Sequence, residues 1–479
     1  MDSFGGQRAL DMRWLLTGLL LLPSVAAVAA DTVPTVVFTG VTVVDVETGK
    51  AVPDRIVVVT GPKITAVVAA EGFKPPDGAT VVPAAGKYLI PGLWDMHVHH
   101  IPWPGPGMLE VALANGVTGV RDLNGDPFVL KWRDEIAAGK RVGPRIVASG
   151  KYLDARLDGQ PPDRVSADTP KEGRELVRQR KKAGADFIKV YSGLSPEVYQ
   201  AVIEEAKAQG LPVAGHCPER VSALDASRLG QRSIEHLTGV AVSCSRGEAA
   251  LRKEMATAFT GKNGYDIVAL YPVIQKAMET PDEEKQAVLF AAFKKNRTWH
   301  VPTLVVQRPL PSLKADPDPR LKYTAWPFVQ LWERIQTDDK FGKFREASST
   351  YARTTVRAMH KAGVPLLAGT DAGGMMNVLV FPGFSLADEL ELLVGCGLTT
   401  ADALRTATLN PALYLGEEKA MGRVATDMRA DLVLLDANPL VAIGNVRKIA
   451  GVMVNGRWFP RSELDKMLAG VAESAAKKK

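Results

Sequence analysis

Cysteine is scarce in this chain, which contains only Cys217, Cys244 and Cys396 among 479 residues. An odd number of cysteines at such wide spacing provides no disulfide framework, so a small cysteine-stapled scaffold is excluded. Aromatic residues are also few, at 6% of the chain. The ordinary hydrophobic and charged fractions, 46% and 23%, exclude a disordered or collagen-like protein.

Positive charge is in excess, but it is not concentrated in one region. The formal net charge is +6 and the isoelectric point is near 9.0, with a short Lys477–Lys479 run at the end of the chain. A nucleic-acid surface needs lysine and arginine clustered on one face. We therefore expect no nucleic-acid partner and interpret the basicity as a contribution to solubility.

The N-terminal region lacks an apolar run long enough to span a bilayer, for which about 20 residues are needed. The apolar stretch 14–28 is shorter, follows Arg8 and Arg13, and includes the small residues that begin at position 26. A positive start, a short apolar segment and an Ala-x-Ala exit are typical of a secretory signal peptide. We expect residues 1–30 to be such a peptide rather than a retained anchor.

This interpretation predicts an exported protein, periplasmic or secreted, with no stable membrane insertion after cleavage. The mature chain should begin near Ala30 or Asp31, which N-terminal sequencing of exported protein would establish. Recovery of an intact, membrane-embedded chain that starts at Met1 would contradict the prediction.

The mature sequence divides into three stretches with different patterns. Residues 31–90 and 415–479 contain short apolar runs bounded by glycine, proline and aspartate, which indicates short strands. In 91–414, apolar runs alternate with helical patterns such as 196–209, which indicates repeated βα units around a parallel sheet. We predict an α/β protein with a (β/α)8 barrel of the TIM type in the middle. Both chain ends would build one small composite β-sandwich domain, followed by the basic tail.

Eight candidate strands can be counted in the middle stretch, and eight is the number that closes a (β/α) barrel. They are Leu93–His99, Val117–Leu123, Arg145–Ser149, Phe187–Tyr191, Pro212–Cys217, Ser233–Leu237, His300–Val306 and Leu366–Asp371. The active site of such a barrel lies at the carboxyl ends of its strands. The polar residues at or near those ends are His97, His99, Lys189, His216, His236 and Asp371.

Strand periodicity orients some of these side chains. Because alternate residues of a strand face the same side, His97 and His99 should point together into the mouth of the barrel. Two imidazoles at this spacing form a clip suited to divalent transition metals. A His-x-His pair alone is a weak signal, but four of the seven histidines fall at strand ends together with an aspartate. Tyr191 shares the parity of Lys189 and lies nearer the mouth, which makes it a candidate for binding substrate.

These segments resemble the amidohydrolase superfamily. LIPGLWDMHVH at 89–99 is similar to its first metal motif, FIKVY at 187–191 to its bridging-lysine strand, and GTD at 369–371 to its closing aspartate. ATLNPA at 407–412, GRV at 422–424 and ADLVL at 430–434 resemble its C-terminal return to the β-domain. The resemblance covers about 32–459. It points to the imidazolonepropionase-like branch, which includes exported dipeptidases.

The resemblance implies a centre with two divalent metal ions, with zinc as the expected metal. The implied ligands are His97, His99 and Asp371 for the buried ion, His216 and His236 for the outer ion, and a bridging Lys189 carboxylated by carbon dioxide. Such a pair would activate water, and Asp371 would act as general acid and base. The implied reaction is hydrolysis of amide C–N bonds in dipeptides or N-acyl amino acids. The implied partner is therefore a small-molecule or dipeptide substrate, and a homo-oligomer is left open.

Two alternatives stay open. Glu219 follows His216 by three residues, the spacing at which deaminase- and imidazolonepropionase-type relatives use a glutamate to shuttle protons around a single metal. A mononuclear cyclic-amide or imidazolone hydrolase, or a deaminase, is therefore one alternative. The other is a secreted binding protein that kept the barrel and lost its chemistry, although every expected ligand position is filled. His100, His300 and His360 are interpreted as structural or surface groups. Arg121 and Asp122 end the second strand with opposite parity, so they cannot both face the barrel interior, and we expect a structural ion pair with a neighbouring loop.

Overall fold

The structure of the protein is a computed structural model that describes residues 34–100, 107–125, 127–155, 165–259, 267–309, 313, 317–337 and 342–477. The predicted signal peptide, residues 1–30, lies outside these described residues. Of the helices that the structure describes, none is long and apolar enough to cross a membrane. The three cysteines are buried and form no disulfide, as their spacing predicts.

Short strands at both chain ends flank a central region in which strands and helices alternate. The strands are β1 (Thr35–Asp45), β2 (Lys50–Thr60), β3 (Lys63–Ala69), β4 (Thr80–Pro83), β5 (Tyr88–Pro91), β6 (Leu93–Val98), β7 (Val117–Asp122), β8 (Arg145–Ala148), β9 (Leu153–Asp154), β10 (Val165–Ser166), β11 (Ile188–Val190), β12 (Val213–Gly215), β13 (Ser233–Glu235), β14 (Trp299–Val301), β15 (Leu432–Leu435), β16 (Ile449–Val454) and β17 (Arg457–Pro460). The helices are α1 (Gly107–Ala114), α2 (Pro127–Ala137), α3 (Pro170–Lys182), α4 (Pro196–Ala208), α5 (Ala223–Leu229), α6 (Val240–Ser243), α7 (Glu248–Ala256), α8 (Ile267–Glu279), α9 (Glu283–Asn296), α10 (Leu304–Gln307), α11 (Trp326–Thr337), α12 (Gly342–Ala362), α13 (Phe384–Gly395), α14 (Thr400–Thr406), α15 (Leu409–Leu415) and α16 (Arg461–Ala476). Short 3₁₀ segments lie at Thr257–Phe259, Pro319–Tyr323 and Ile443–Arg447.

Strands from both chain ends form one eight-stranded sheet, in the order β17-β16-β15-β5-β1-β2-β3 with β4 paired to β1. β15 pairs antiparallel with β5, so the returning C-terminal segment continues the N-terminal sheet. Phe38, Val57, Leu89 and Leu432, from four different strands, pack in one buried cluster. A composite β-structure is therefore observed. The two layers of a sandwich are not confirmed, because the described strands of both ends belong to a single sheet.

The central region has a fold of the TIM-barrel type. Its parallel strands form a three-stranded sheet, β6-β7-β8, and a six-stranded sheet, β10-β9-β11-β12-β13-β14. The segment 366–372 joins them through bridges from Leu366 to His300 and from Ala372 to Val98. On the opposite side, the N–H of Asp186 donates to the carbonyl of Ala148 at 2.9 Å. The eight predicted units thus lie side by side in the order in which they occur in the chain. Strand pairing among the described residues does not close them into a continuous barrel.

Two of the predicted strands are wrong in extent. The seventh, predicted over His300–Val306, ends at Val301, and helix α10 begins at Leu304. The N–H groups of Leu304 and Val305 donate to the carboxylate of Glu389 at 3.0 and 2.9 Å, which satisfies donors that a helix start leaves unpaired. The eighth, predicted over 366–371, is irregular backbone with isolated bridges. Asp371 at its end has a left-handed φ of 61°, which a strand does not accommodate.

Candidate metal centre

Four imidazoles and one carboxylate meet at the carboxyl ends of the parallel strands. His97, His236 and Asp371 each offer one ligand atom, and these atoms lie within 4.8 Å of one another. His99 Nε2 lies 2.8 Å from Asp371 Oδ1 and 3.3 Å from His97 Nε2. The ring of His216 lies 5.0 Å from the ring of His236, centroid to centroid. The structure therefore brings together the predicted residues. We refer to these five side chains and Lys189, which lines the same cavity, as the polar cluster.

In three of these imidazoles, Nδ1 is hydrogen-bonded to a neighbouring side chain. The contacts are His97 Nδ1 to Glu235 Oε2 at 2.8 Å, His216 Nδ1 to Ser192 Oγ at 2.9 Å, and His236 Nδ1 to Thr303 Oγ1 at 2.7 Å. A histidine that holds a metal commonly makes such a bond with its other ring nitrogen, which fixes the tautomer and the ring orientation. The arrangement therefore leaves Nε2 of each ring available to a cation.

Burial sets the protonation states of the cluster. It lowers the pKa of His97 and His216 well below the ordinary value for histidine, and it lowers the pKa of His236 to about 4. Burial acts to raise the pKa of Asp371, but the facing imidazoles outweigh it and lower that pKa below its ordinary value. Neutral imidazoles and an ionised carboxylate are the forms that ligate a metal ion.

Lys189 is the most unusual member of the cluster. Its side chain is buried, with 1% of the residue exposed, and Nζ has no hydrogen-bond partner in the described structure. Burial lowers the pKa of its amine to about 8, although Glu235 and Asp371 act in the opposite direction. A buried amine without a partner is costly, because it has lost its hydrogen bonds to water. The site therefore lacks a group that would satisfy this nitrogen.

Glycine in the neighbouring strand makes room for Lys189. Gly215 in β12 has a φ of 130°, and a Cβ there would lie 2.2 Å from the carbonyl oxygen of Val190 and 2.8 Å from Lys189 Cδ. Both distances are shorter than real contacts allow, so a larger residue would displace the lysine or its strand.

The residue that sequence reasoning missed is Glu235. It is fully buried and accepts hydrogen bonds from His97 Nδ1 at 2.8 Å, from Arg121 Nη2 at 2.7 Å and from Ser233 Oγ at 2.6 Å. Arg121, also fully buried, donates further to Tyr414 Oη at 2.7 Å. The available signal was a glutamate directly before His236 in a strand predicted to be buried. The expected pairing of Arg121 with a loop is wrong, since its carboxylate partner lies on strand β13.

The other polar residues set apart in the sequence lie outside the cluster. Asp122 has the opposite parity to Arg121, as predicted, and accepts from the backbone N–H and from Nδ1 of His100 at 2.6 and 2.7 Å. The buried ring of His300 packs 4.3 Å from the ring of Phe293 on α9. His360 lies in α12.

Strained backbone accompanies the cluster. His236, Asp371 and Thr303, which contacts His236, have φ values of 58°, 61° and 49°. Residues other than glycine rarely adopt this left-handed conformation, and the strain is found preferentially at functional sites. Here the strained residues are His236 and Asp371 of the polar cluster and Thr303, whose hydroxyl orients the ring of His236.

Every member of the polar cluster except the fully buried His97 lines a cavity of about 480 Å³. Tyr191 lines the cavity and stacks on His216 with ring centroids 4.0 Å apart and planes at 30°. Tyr271 from α8 and Phe344 and Tyr351 from α12 form part of the wall, so helices inserted after β13 and after β14 shape the pocket. The volume suits a small organic molecule or a dipeptide. The described lining contains no arginine.

Comparisons with known proteins give one family and one fold. The model of the amidohydrolase family matches residues 88–259 and 322–459. The ochratoxinase of Aspergillus niger is 24% identical over 414 residues, which covers 74% of this chain and 71% of that protein. The structure of bottromycin amidohydrolase has a TM-score of 0.71 and 23% identity, covering 92% of this chain and 90% of that chain. A Xaa-Pro dipeptidase with bound methionine has a TM-score of 0.64 and 21% identity, covering 89% of this chain and all of that chain. At these identities the structural likeness shows the shared fold.

Proposed function

This chain belongs to the amidohydrolase family and is a metal-dependent hydrolase of carbon–nitrogen bonds, and from that premise we propose that its substrates are dipeptides or N-acyl amino acids. The observation that carries the chemistry is the unpartnered Lys189 amine beside a cluster of four imidazoles and a carboxylate. An exported enzyme meets peptides and acylated amino acids rather than intermediates of cytosolic metabolism. The size of the cavity suits such substrates.

The donor set fits two divalent metal ions, and we propose zinc. His97, His99 and Asp371 would hold one ion and His216 and His236 the other, since imidazole nitrogens and a carboxylate oxygen suit zinc. We propose that Lys189 joins this set as a carbamate, because an ammonium carries no lone pair for a cation whereas a carbamate supplies two anionic oxygens. Carboxylation would also replace the buried, unpartnered amine by an anion whose oxygens face the metal ions.

When bound, the ions would supply a Lewis acid for the scissile carbonyl and a lowered pKa for the attacking water. Asp371 performs the proton transfers in this proposal. As a carboxylate it accepts a proton from the attacking water, and it then donates that proton to the leaving nitrogen. Glu235 holds His97 in place through the bond to Nδ1 and acts as a positioning residue.

The reaction is tested by assaying metal-loaded protein against a library of dipeptides and N-acyl amino acids, with chelator-treated protein as the control. The proposal requires release of a free amino acid by the loaded protein alone. If only ring amides or lactones react, the substrate proposal is wrong. In that case the mononuclear ring-amide hydrolase, with Glu219 as proton shuttle, becomes the better account.

Tyr191 is our proposed contact for the free carboxylate of the substrate. Its stacking on His216 places the phenol beside the metal ligands, where a donated hydrogen bond would orient the scissile carbonyl. Tyr191→Phe should reduce kcat/KM by about tenfold, or roughly 1.4 kcal/mol. Steady-state kinetics with the free acid and with its C-terminal amide check the assignment. The amide should be the poorer substrate and should be insensitive to the substitution, whereas equal losses on both substrates would refute the contact.

A further inference from the structure

One charged side chain lines the described part of the cavity outside the polar cluster, and it is Glu219. It lies in the loop after β12, where its backbone N–H donates to the carbonyl of Ser192 at 2.9 Å. Only 8% of the residue is exposed. Within the described residues, no hydrogen bond reaches its carboxylate. The side chain is thus buried and faces a cavity without a partner.

The neighbouring arginine does not satisfy this carboxylate. Arg252 acts on Glu219 electrostatically, but its guanidinium donates to Glu248 Oε1 and Ser243 Oγ, both at 3.0 Å. Burial raises the pKa of Glu219 to about 7 despite this arginine. A buried carboxylate is stabilised when a cation with hydrogen-bond donors binds beside it. Among the described residues no cation donates a hydrogen bond to this carboxylate, which leaves it open to a cationic ligand in the cavity.

The walls near Glu219 also suit a cation. The rings of Tyr271 and Phe344 line the cavity and stack with centroids 4.5 Å apart. Burial raises the pKa of Tyr271, and the negative charge of Glu219 raises it further. The Glu219 carboxylate is therefore close enough to interact electrostatically with the α8 wall of the cavity. Aromatic faces attract ammonium and guanidinium groups, and the attraction is larger where water is excluded.

We propose that Glu219, with the faces of Tyr271 and Phe344, forms a subsite for a cationic side chain of the substrate, an ammonium or a guanidinium. The bond to Ser192 ties the Glu219 loop to the loop after β11, directly beside Tyr191. Since Tyr191 is assigned to the carboxylate of the leaving residue, the cation belongs to that same residue. The inference rests on the proposed function and narrows it to substrates that release a basic amino acid.

The test compares alanyl-arginine with alanyl-citrulline, which have similar length and differ in the charge of the terminal group. The wild-type protein should favour the arginine substrate in kcat/KM by about tenfold or more. Glu219→Gln should remove most of that preference, mainly by raising KM for alanyl-arginine. Glu284→Gln, the same change of charge at an exposed position of α9, should keep the preference. Equal losses on both substrates, seen mainly in kcat, would overturn the subsite and identify Glu219 as a proton shuttle.

A binding measurement separates this inference from the reaction itself. In calorimetry, the metal-loaded protein should bind free L-arginine about tenfold or more tightly than L-citrulline, and Glu219→Gln should abolish the difference. If this difference appears while neither dipeptide is hydrolysed, the subsite stands and the proposed reaction fails. Tyr271→Leu, which removes an aromatic face without touching the carboxylate, should weaken arginine binding alone. Equal affinity of the wild-type protein for the two amino acids overturns the inference.

Discussion

Replacing Lys189 by alanine should abolish hydrolysis, with a loss on the order of a thousandfold in kcat, and should lower the metal content of the protein. The reason is the position of the amine, which is buried beside the proposed metal ligands and has no partner in the described structure. In the proposed carbamate form, this residue would supply the oxygens that hold the two ions together. Turnover on the best dipeptide and elemental analysis of the same sample measure both effects.

The controls for Lys189 separate a carbamate from a structural lysine. Short carboxylic acids added to the Lys189→Ala protein should restore part of the activity and part of the metal, because they supply the missing oxygens. Lys189→Arg should not rescue, since a guanidinium stays cationic. Lys207→Ala, a change on the exposed surface of α4, should have no effect. Full metal content with near-normal turnover in Lys189→Ala would contradict the bridge and support a single metal assisted by Glu219.

Replacing Arg121 by methionine should lower the free energy of unfolding by about 3–5 kcal/mol. Arg121 and Glu235 are both fully buried, and their contact at 2.7 Å compensates two charges that have lost their water. Removal of the arginine leaves the glutamate buried without that cation. Denaturant titration of the metal-free protein measures the loss, because bound metal would add its own stabilisation to the native state.

Two further variants test whether the buried pair explains the loss. Arg121→Met combined with Glu235→Gln should be less destabilised than the sum of the single changes, since the second substitution removes the uncompensated charge. Arg174→Met breaks an exposed pair with Glu204 and should cost about 1 kcal/mol or less. A loss of that small size for Arg121→Met would show that the buried pair does not stabilise the barrel.

The features that could be predicted from sequence depend on local geometry. The period of two along a strand places His97 and His99 on one side of β6 and its continuation, and their Nε2 atoms lie 3.3 Å apart. The turn at Asn455-Gly456 is another case, because both residues have positive φ, as a two-residue hairpin requires. A short-range rule was sufficient in each case.

The features that were missed depend on residues far apart in the chain. Helix α10 begins where it does because Glu389, more than 80 residues later, accepts the N–H groups of its first turn. Glu235 contacts His97 across 138 residues, and the local sequence at Glu235 does not show which residue it contacts. The predicted eighth strand ends at Asp371, which adopts a left-handed φ of 61° beside the imidazoles. Tertiary contacts outweigh local pattern at these positions.

The count of metal ions per chain tests the central claim most directly. The wild-type protein, purified with bicarbonate and without chelator, would be analysed for metals against its amino-acid content. The account predicts about two divalent ions per chain, as a paired site requires. It also predicts that protein purified without bicarbonate lacks the second ion. That protein should regain the ion when carbon dioxide is supplied. One ion per chain, unchanged by bicarbonate, would contradict the binuclear centre.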